Sequence, residues 1–197
     1  MDIKEIKRLR ELTGVGMTDA KKALVESNGD FDKALDAMRK KGLTKAEKSS
    51  EREARAGVIG SYLHDSRIGV LIEVNCETDF VARNEIFTDL VKNLAMHIAA
   101  SAPEYVSEDY INKTEIDKIT SEFKEKAKLE NKPDDMIDKI VEGQVKKYFQ
   151  EKTLLSQSYI KNPDQDVATY VKENIAKLGE NIVVKRFSRM ALGEVTN

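Results

Sequence analysis

The chain has 197 residues, 40% of them hydrophobic and 35% charged, with a net charge of −2 and one cysteine. That length allows one substantial core or two small modules, and the near-neutral charge excludes a global field drawing the molecule to nucleic acid or to an anionic membrane. The lone cysteine excludes an intrachain disulfide framework and fits a reducing compartment, and no apolar run approaches the ~20 residues that span a bilayer.

Met1-Asp2-Ile3-Lys4-Glu5 is charged from its second residue and lacks the apolar stretch of a signal peptide, so a cytoplasmic location is expected. Ile3, Ile6, Leu9 and Leu12 recur every third residue and predict a short amphipathic helix, broken by Gly14-Val15-Gly16-Met17. Thr18 or Asp19 can cap a second helix with Ala20, Ala23 and Leu24 inside, and Asn28-Gly29 supplies a left-handed stop. Asp30 can cap a third helix carrying Phe31, Ala34, Leu35 and Met38, ended by Gly42. Residues 1–42 thus form a three-helix bundle with a thin core, better suited to docking than to catalysis. Met17 either plugs the end of that bundle or offers an adaptable apolar contact at its surface.

Residues 43–56 carry both signs of charge and few apolar side chains, and are expected to be a linker, helical in part. A core of residues 57–197 follows. Gly57 to His64, a turn at Asp65-Ser66-Arg67 and the alternating run Ile68 to Val74 predict a β-hairpin. Ile86, Phe87, Leu90, Val91, Leu94, Ala95 and Ile98 predict a helix with Asn84 as N-cap, closed by Pro103. Between strand and helix lies the stretch Asn75 to Asn84, in which Asp79 and Phe80 set an acid beside an aromatic. Phe80 either folds back beneath the helix or stays at the surface, where a ring held between two rigid elements can pry something open.

Two apolar stripes, Ile116 to Ala127 and Met136 to Phe149, joined at Glu130-Asn131-Lys132, predict a helical hairpin over about 113–151, with Pro133 in the first turn of its second helix. Asn162-Pro163-Asp164 reads as a turn. Val167, Val171, Ile175 and Leu178 mark a last helix stopped by Gly179, and Ile182 to Leu192 a third strand that completes the sheet. The fold class is α+β: a helical bundle, a linker, and a small three-stranded antiparallel sheet packed by helices and a helical hairpin.

Residues for covalent chemistry are sparse. His64-Asp65 can be half of a proton relay, but no activated Ser or Cys stands near it in sequence. His97 reads as a boundary or core histidine, and Cys76 has no partner at metal-ligand spacing. No phosphate-binding glycine loop and no basic face studded with aromatics is present. The expectation is a binding protein, not an enzyme, with no cofactor or metal.

Thr13-Gly14-Val15-Gly16-Met17-Thr18-Asp19-Ala20-Lys21-Lys22-Ala23-Leu24 and Val74-Asn75-Cys76-Glu77-Thr78-Asp79-Phe80-Val81-Ala82-Arg83-Asn84 closely resemble the signature segments of the bacterial translation elongation factor Ts family. Ala176-Lys177-Leu178-Gly179-Glu180-Asn181-Ile182-Val183-Val184-Lys185-Arg186-Phe187 is similar to that family too. The resemblance implies a guanine-nucleotide exchange factor for elongation factor Tu, with a bundle like a ubiquitin-associated domain docking on the GTPase. It implies that Arg10 and Met17 are docking contacts; Thr18 stands where some relatives have a second methionine. It implies that Thr78, Asp79, Phe80 and Val81 form a wedge that dislodges Mg2+, so that GDP leaves and GTP can bind. Longer relatives carry two copies of the core subdomain and this chain one, which implies a homodimer binding two GTPase molecules, without nucleic-acid or membrane contact. The rival readings are a plain adaptor and an enzyme using His64-Asp65.

Overall fold

The computed structural model describes residues 2–130 and 133–194, apart from the side chains of Lys45, Glu47, Asp134 and Asp135. By packing, the chain divides into one unit of residues 1–99 and 168–197 and another of residues 100–167. This grouping cuts the chain differently from the pattern-based 1–42, 43–56 and 57–197. Among the described residues no helix is long and apolar enough to cross a membrane.

The first unit begins with a three-helix bundle. α1 (Ile3–Thr13) is capped by Asp2, whose carboxylate accepts from the Lys4 N–H at 2.9 Å, and ends on Gly14 in a left-handed conformation (φ 69°). α2 (Met17–Glu26) starts earlier than expected: Gly16 is its N-cap, without a side-chain bond, so Thr18 and Asp19 already lie inside the first turn. Asn28 and Gly29 take positive φ as expected, and Asp30 accepts from the Lys33 N–H at 3.0 Å to open α3 (Phe31–Ser49). Ile6, Leu9, Ala20, Ala23, Leu24, Ala34 and Met38 form one buried cluster. Ile3 and Leu12, expected inside, are exposed, and Thr13 is buried in their place with its hydroxyl donating to the Leu9 carbonyl.

Gly42 does not end α3. A helix-interior glycine costs only about 1 kcal/mol, and a Cβ here would stand 3.1 Å from the Ala176 methyl, so the small residue serves close packing. The helix therefore runs through half of the expected linker, to Ser49.

β1 (Ala56–His64) and β2 (Ile68–Cys76) pair antiparallel across the three-residue turn Asp65-Ser66-Arg67, in which Asp65 and Ser66 take positive φ and the Arg67 N–H donates to the His64 carbonyl at 2.9 Å. β2 is central. Its other edge pairs antiparallel with β5 (Ile182–Ala191), with a register shift at Glu73/Val74. The period-two alternation sorts the residues: Val70, Ile72, Val74 and Cys76 are buried, while Leu71 points to the open face. The buried face is covered by α5 (Glu85–Ser101), with Phe87, Leu90, Leu94 and Ile98 inaccessible. At Gly60 a Cβ would meet the Val91 side chain at 2.3 Å, so strand and helix approach where only glycine fits. The last helix of this unit, α8 (Val167–Leu178), is joined to α5 by the Asn93 amide donating to the Tyr170 hydroxyl at 3.0 Å. His97 is fully buried, so of the boundary and core placements it takes the core one.

The second unit is the helical hairpin of α6 (Lys113–Leu129) and α7 (Asp134–Lys152) with its supporting loops. Ala127, Ile137 and Val141 form its centre, flanked by Phe123 and Val145. Pro133 is the N-cap of α7 and not a first-turn residue: its backbone is extended (ψ 132°) and its carbonyl accepts from the Met136 N–H. Of the expected connection Glu130-Asn131-Lys132, Asn131 and Lys132 lie outside the described residues. Asn162-Pro163-Asp164 is strand, not turn; β3 (Ser158–Tyr159) and β4 (Asn162–Asp166) pair around a turn at Ile160-Lys161. A two-stranded ribbon tolerates proline where the missing N–H faces solvent.

Candidate functional site

Cys76 at the end of β2 and Ile182 at the start of β5 are register partners. The residues just beyond them, Glu77-Thr78 and Glu180-Asn181, are therefore brought together from opposite ends of the core. They exchange carboxylates. The Glu180 carboxylate accepts the Thr78 N–H at 3.0 Å and the Thr78 hydroxyl at 2.6 Å, and Glu77 accepts the Asn181 N–H at 2.6 Å. Arg52, in the segment leading into β1, donates to Glu77 and to the Gly179 carbonyl at 3.4 Å each, and the Asn181 amide donates to the Arg52 carbonyl at 2.6 Å. Hydrogen bonds to ionised groups are the strong ones, so this knot holds three chain segments.

From the knot rises a single helical turn, α4 (Asp79–Ala82). Thr78 is its N-cap, in extended conformation, with its hydroxyl oxygen accepting from the Val81 N–H at 3.3 Å and its carbonyl accepting from the Ala82 N–H at 3.1 Å. Asn84 then takes the expected role for α5: its side-chain oxygen accepts from the Ile86 N–H at 2.8 Å. A four-residue helix has no stability of its own. Its bonds to Glu180 on one side and its junction with α5 on the other hold it.

The turn sorts its four candidate residues. Val81 and Ala82 are buried and anchor the turn; Thr78 and Asp79 are exposed; Phe80 is 83% exposed. Of the two readings left open by pattern, the ring takes the surface one. Cys76 lies beneath, its thiol donating to the Thr78 carbonyl at 3.2 Å, and burial, with the nearby Glu180 carboxylate, pushes that thiol's pKa up. Fully buried, the side chain serves packing.

The other candidates cluster where α1 hands over to α2: Arg10 in the last turn of α1, Met17 and Thr18 opening α2, all exposed. Met17 is 40% exposed, so part of its side chain is open to solvent. His64 and Asp65 sit on the exposed hairpin turn 3.6 Å apart, with the Tyr62 hydroxyl 3.2 Å from His64 Nδ1. Sequence reasoning passed over Glu77, Glu180, Asn181 and Arg52 as participants. The signal was there in one form: once strands 68–76 and 182–191 pair antiparallel from their facing ends, polar residues just outside both must meet.

A large ring stands exposed on a short turn anchored at both ends, an arrangement suited to contact with a partner. The family model described as elongation factor TS matches residues 40–194. The chain is similar to elongation factor Ts of Thermodesulfovibrio yellowstonii, 50% identical over 189 residues that make up 96% of this chain and 94% of that protein. It is similar as well to elongation factor Ts of Syntrophomonas wolfei (50% over 190 residues, 96% and 89%) and of Geotalea daltonii (48% over 191 residues, 96% and 88%). The chain belongs to the elongation factor Ts family, and so to the translation elongation factors of protein biosynthesis.

Proposed function

We propose that this protein is the guanine-nucleotide exchange factor for elongation factor Tu, working in the cytoplasm by protein–protein contact without covalent chemistry. The observation that carries the reading is the exposed Phe80 ring on a turn anchored at both ends. Bound GDP owes much of its affinity to Mg2+ and to backbone N–H groups around its phosphates. Phe80 pressed between helices of the GTPase, with Asp79 beside it near the Mg2+, weakens both, and GDP leaves. Thr78 and Val81 complete the wedge.

Burying one phenyl ring supplies ~1.5–3 kcal/mol, about ten- to a hundredfold in rate. Larger accelerations require that the rest of the interface hold the wedge in place, which is the role given to Arg10, Met17 and Thr18 of the bundle. Coupling is reciprocal, so GTP binding ejects the factor by as much as the factor weakens nucleotide.

A second copy of this chain is a further partner. Ile59, Leu63, Leu71 and Met190 stand exposed on the open face of the sheet. Apolar area of that kind is suited to packing another sheet. Release of labelled GDP from elongation factor Tu, with and without this protein, tests the exchange reading; no acceleration would refute it. An adaptor would bind without accelerating release, and an enzyme using His64 would lose turnover in His64→Ala.

A further inference from the structure

The exchange of carboxylates beneath the turn is more than the fold requires. Strand pairing ends at Cys76 and Ile182, and from there the chain is free to diverge. Glu180 instead places both oxygens on one residue, Thr78, taking its backbone donor and its hydroxyl donor together. Thr78 is the residue whose conformation decides where α4 begins, and Phe80 follows two positions later. Resting on the exchange reading above, we propose that Glu180 is the positioning residue of the wedge: its carboxylate fixes the rotation of Thr78, and thereby the direction in which the Phe80 ring points.

The chemistry favours this role over a direct contact with the partner. Both Glu180 oxygens are already occupied by short bonds within the chain. A Thr hydroxyl has a single proton, and here it goes to a carboxylate at 2.6 Å, while the bond it accepts from Val81 is long at 3.3 Å. The carboxylate, more than the local cap, sets the side chain. Glu77 and Arg52 hold the opposite side of the same knot, so the reference frame for Glu180 is the end of the sheet itself.

The test is GDP release from elongation factor Tu at varied concentrations of wild-type protein, Glu180→Ala, Glu180→Gln, Phe80→Ala and Glu180→Ala/Phe80→Ala, with thermal melting as a fold control. Glu180→Ala should lower the maximal release rate about tenfold, the loss expected of one charge-assisted bond set. The half-saturating concentration should shift much less, because docking through the bundle is intact. Glu180→Gln should restore most of the rate, since its amide can accept from the Thr78 N–H and donate to the Thr78 oxygen. Adding Glu180→Ala to Phe80→Ala should cost nothing further, because the carboxylate acts through the ring. An unchanged rate in Glu180→Ala, a loss confined to half-saturation, a Gln variant as poor as Ala, or additive losses in the double variant would each overturn the proposal. If Glu180→Ala does not fold, Glu180→Asp decides: a carboxylate one methylene shorter cannot reach both Thr78 donors and should slow release, and an unchanged rate would overturn the proposal. A Phe80→Ala protein with normal exchange would sink the exchange reading itself, and this inference with it. A defective Phe80→Ala beside a normal Glu180→Ala would sink this inference alone.

Discussion

Phe80 and Phe87 lie two turns of chain apart on α4 and α5, and their surroundings are opposite. Phe87 is wholly inaccessible beneath the sheet, one of the largest side chains in the core, whereas Phe80 is almost bare. The difference comes from what each helix rests on. α5 has seventeen residues and an apolar stripe wide enough to commit one face to the sheet. α4 has four, and spends its inward positions on Val81 and Ala82. The ring left over has no core to enter. Apolar residues of equal size in one neighbourhood thus divide into those that hold the molecule together and those available to something else.

The contrast can be broken most forcefully at Phe87. Phe87→Ala should cost about 3–5 kcal/mol of stability, visible as a large drop in the denaturant midpoint. Phe80→Ala should move the same midpoint by no more than ~0.5 kcal/mol, while weakening the complex with elongation factor Tu by about 2 kcal/mol. Equal stability losses would mean that Phe80 is a core residue after all. The same division runs along β2, where Ile72 is buried and its neighbour Leu71 is not. Wild-type protein should sediment as a dimer at micromolar concentration and Leu71→Glu as a folded monomer; a wild-type monomer would rule out the second copy as a partner.

Much of this was legible in the sequence, and the reasons it was or was not are local. Apart from Leu71 the strand 68–76 alternates, and α5 repeats at helical spacing from Ile86 to Ile98, so period identifies both. The one-turn α4 is too short to have a period. Gly42 misled because a glycine near the end of an apolar stripe usually stops a helix, and only the approach of Ala176 reveals its other use. Ile3 and Leu12 fit a three-residue spacing that is not quite the helical repeat, and the drift puts them outside. Asp79 and Phe80 could be read as candidates because an acid and an aromatic stood together in a connection, and the family resemblance extended the site to Thr78 and Val81. The Glu180 link was harder to read: 102 positions of chain separate it from Thr78, and only the antiparallel pairing of strands 68–76 and 182–191 implies it.

The smallest expected effect separates the bundle's cap from the core. The Lys33 backbone N–H, helped by the Lys33 ammonium, holds the Asp30 carboxyl below its usual pKa of 3.8. A depressed folded-state pKa contributes stability above the usual value, and that contribution is lost as pH falls through the folded one. Wild-type protein should therefore lose melting temperature relative to Asp30→Asn as the pH drops below about 4, with the difference constant above it. A difference that does not change with pH would show that the ionised carboxylate adds nothing there.

The most direct test of the account is the release of labelled GDP from elongation factor Tu at saturating wild-type or Phe80→Ala protein. The wild type should accelerate release strongly, and the variant, still bound and still folded, should do so far less. Indistinguishable rates at saturation would contradict the claim that an exposed ring on a braced turn is the working part of this molecule.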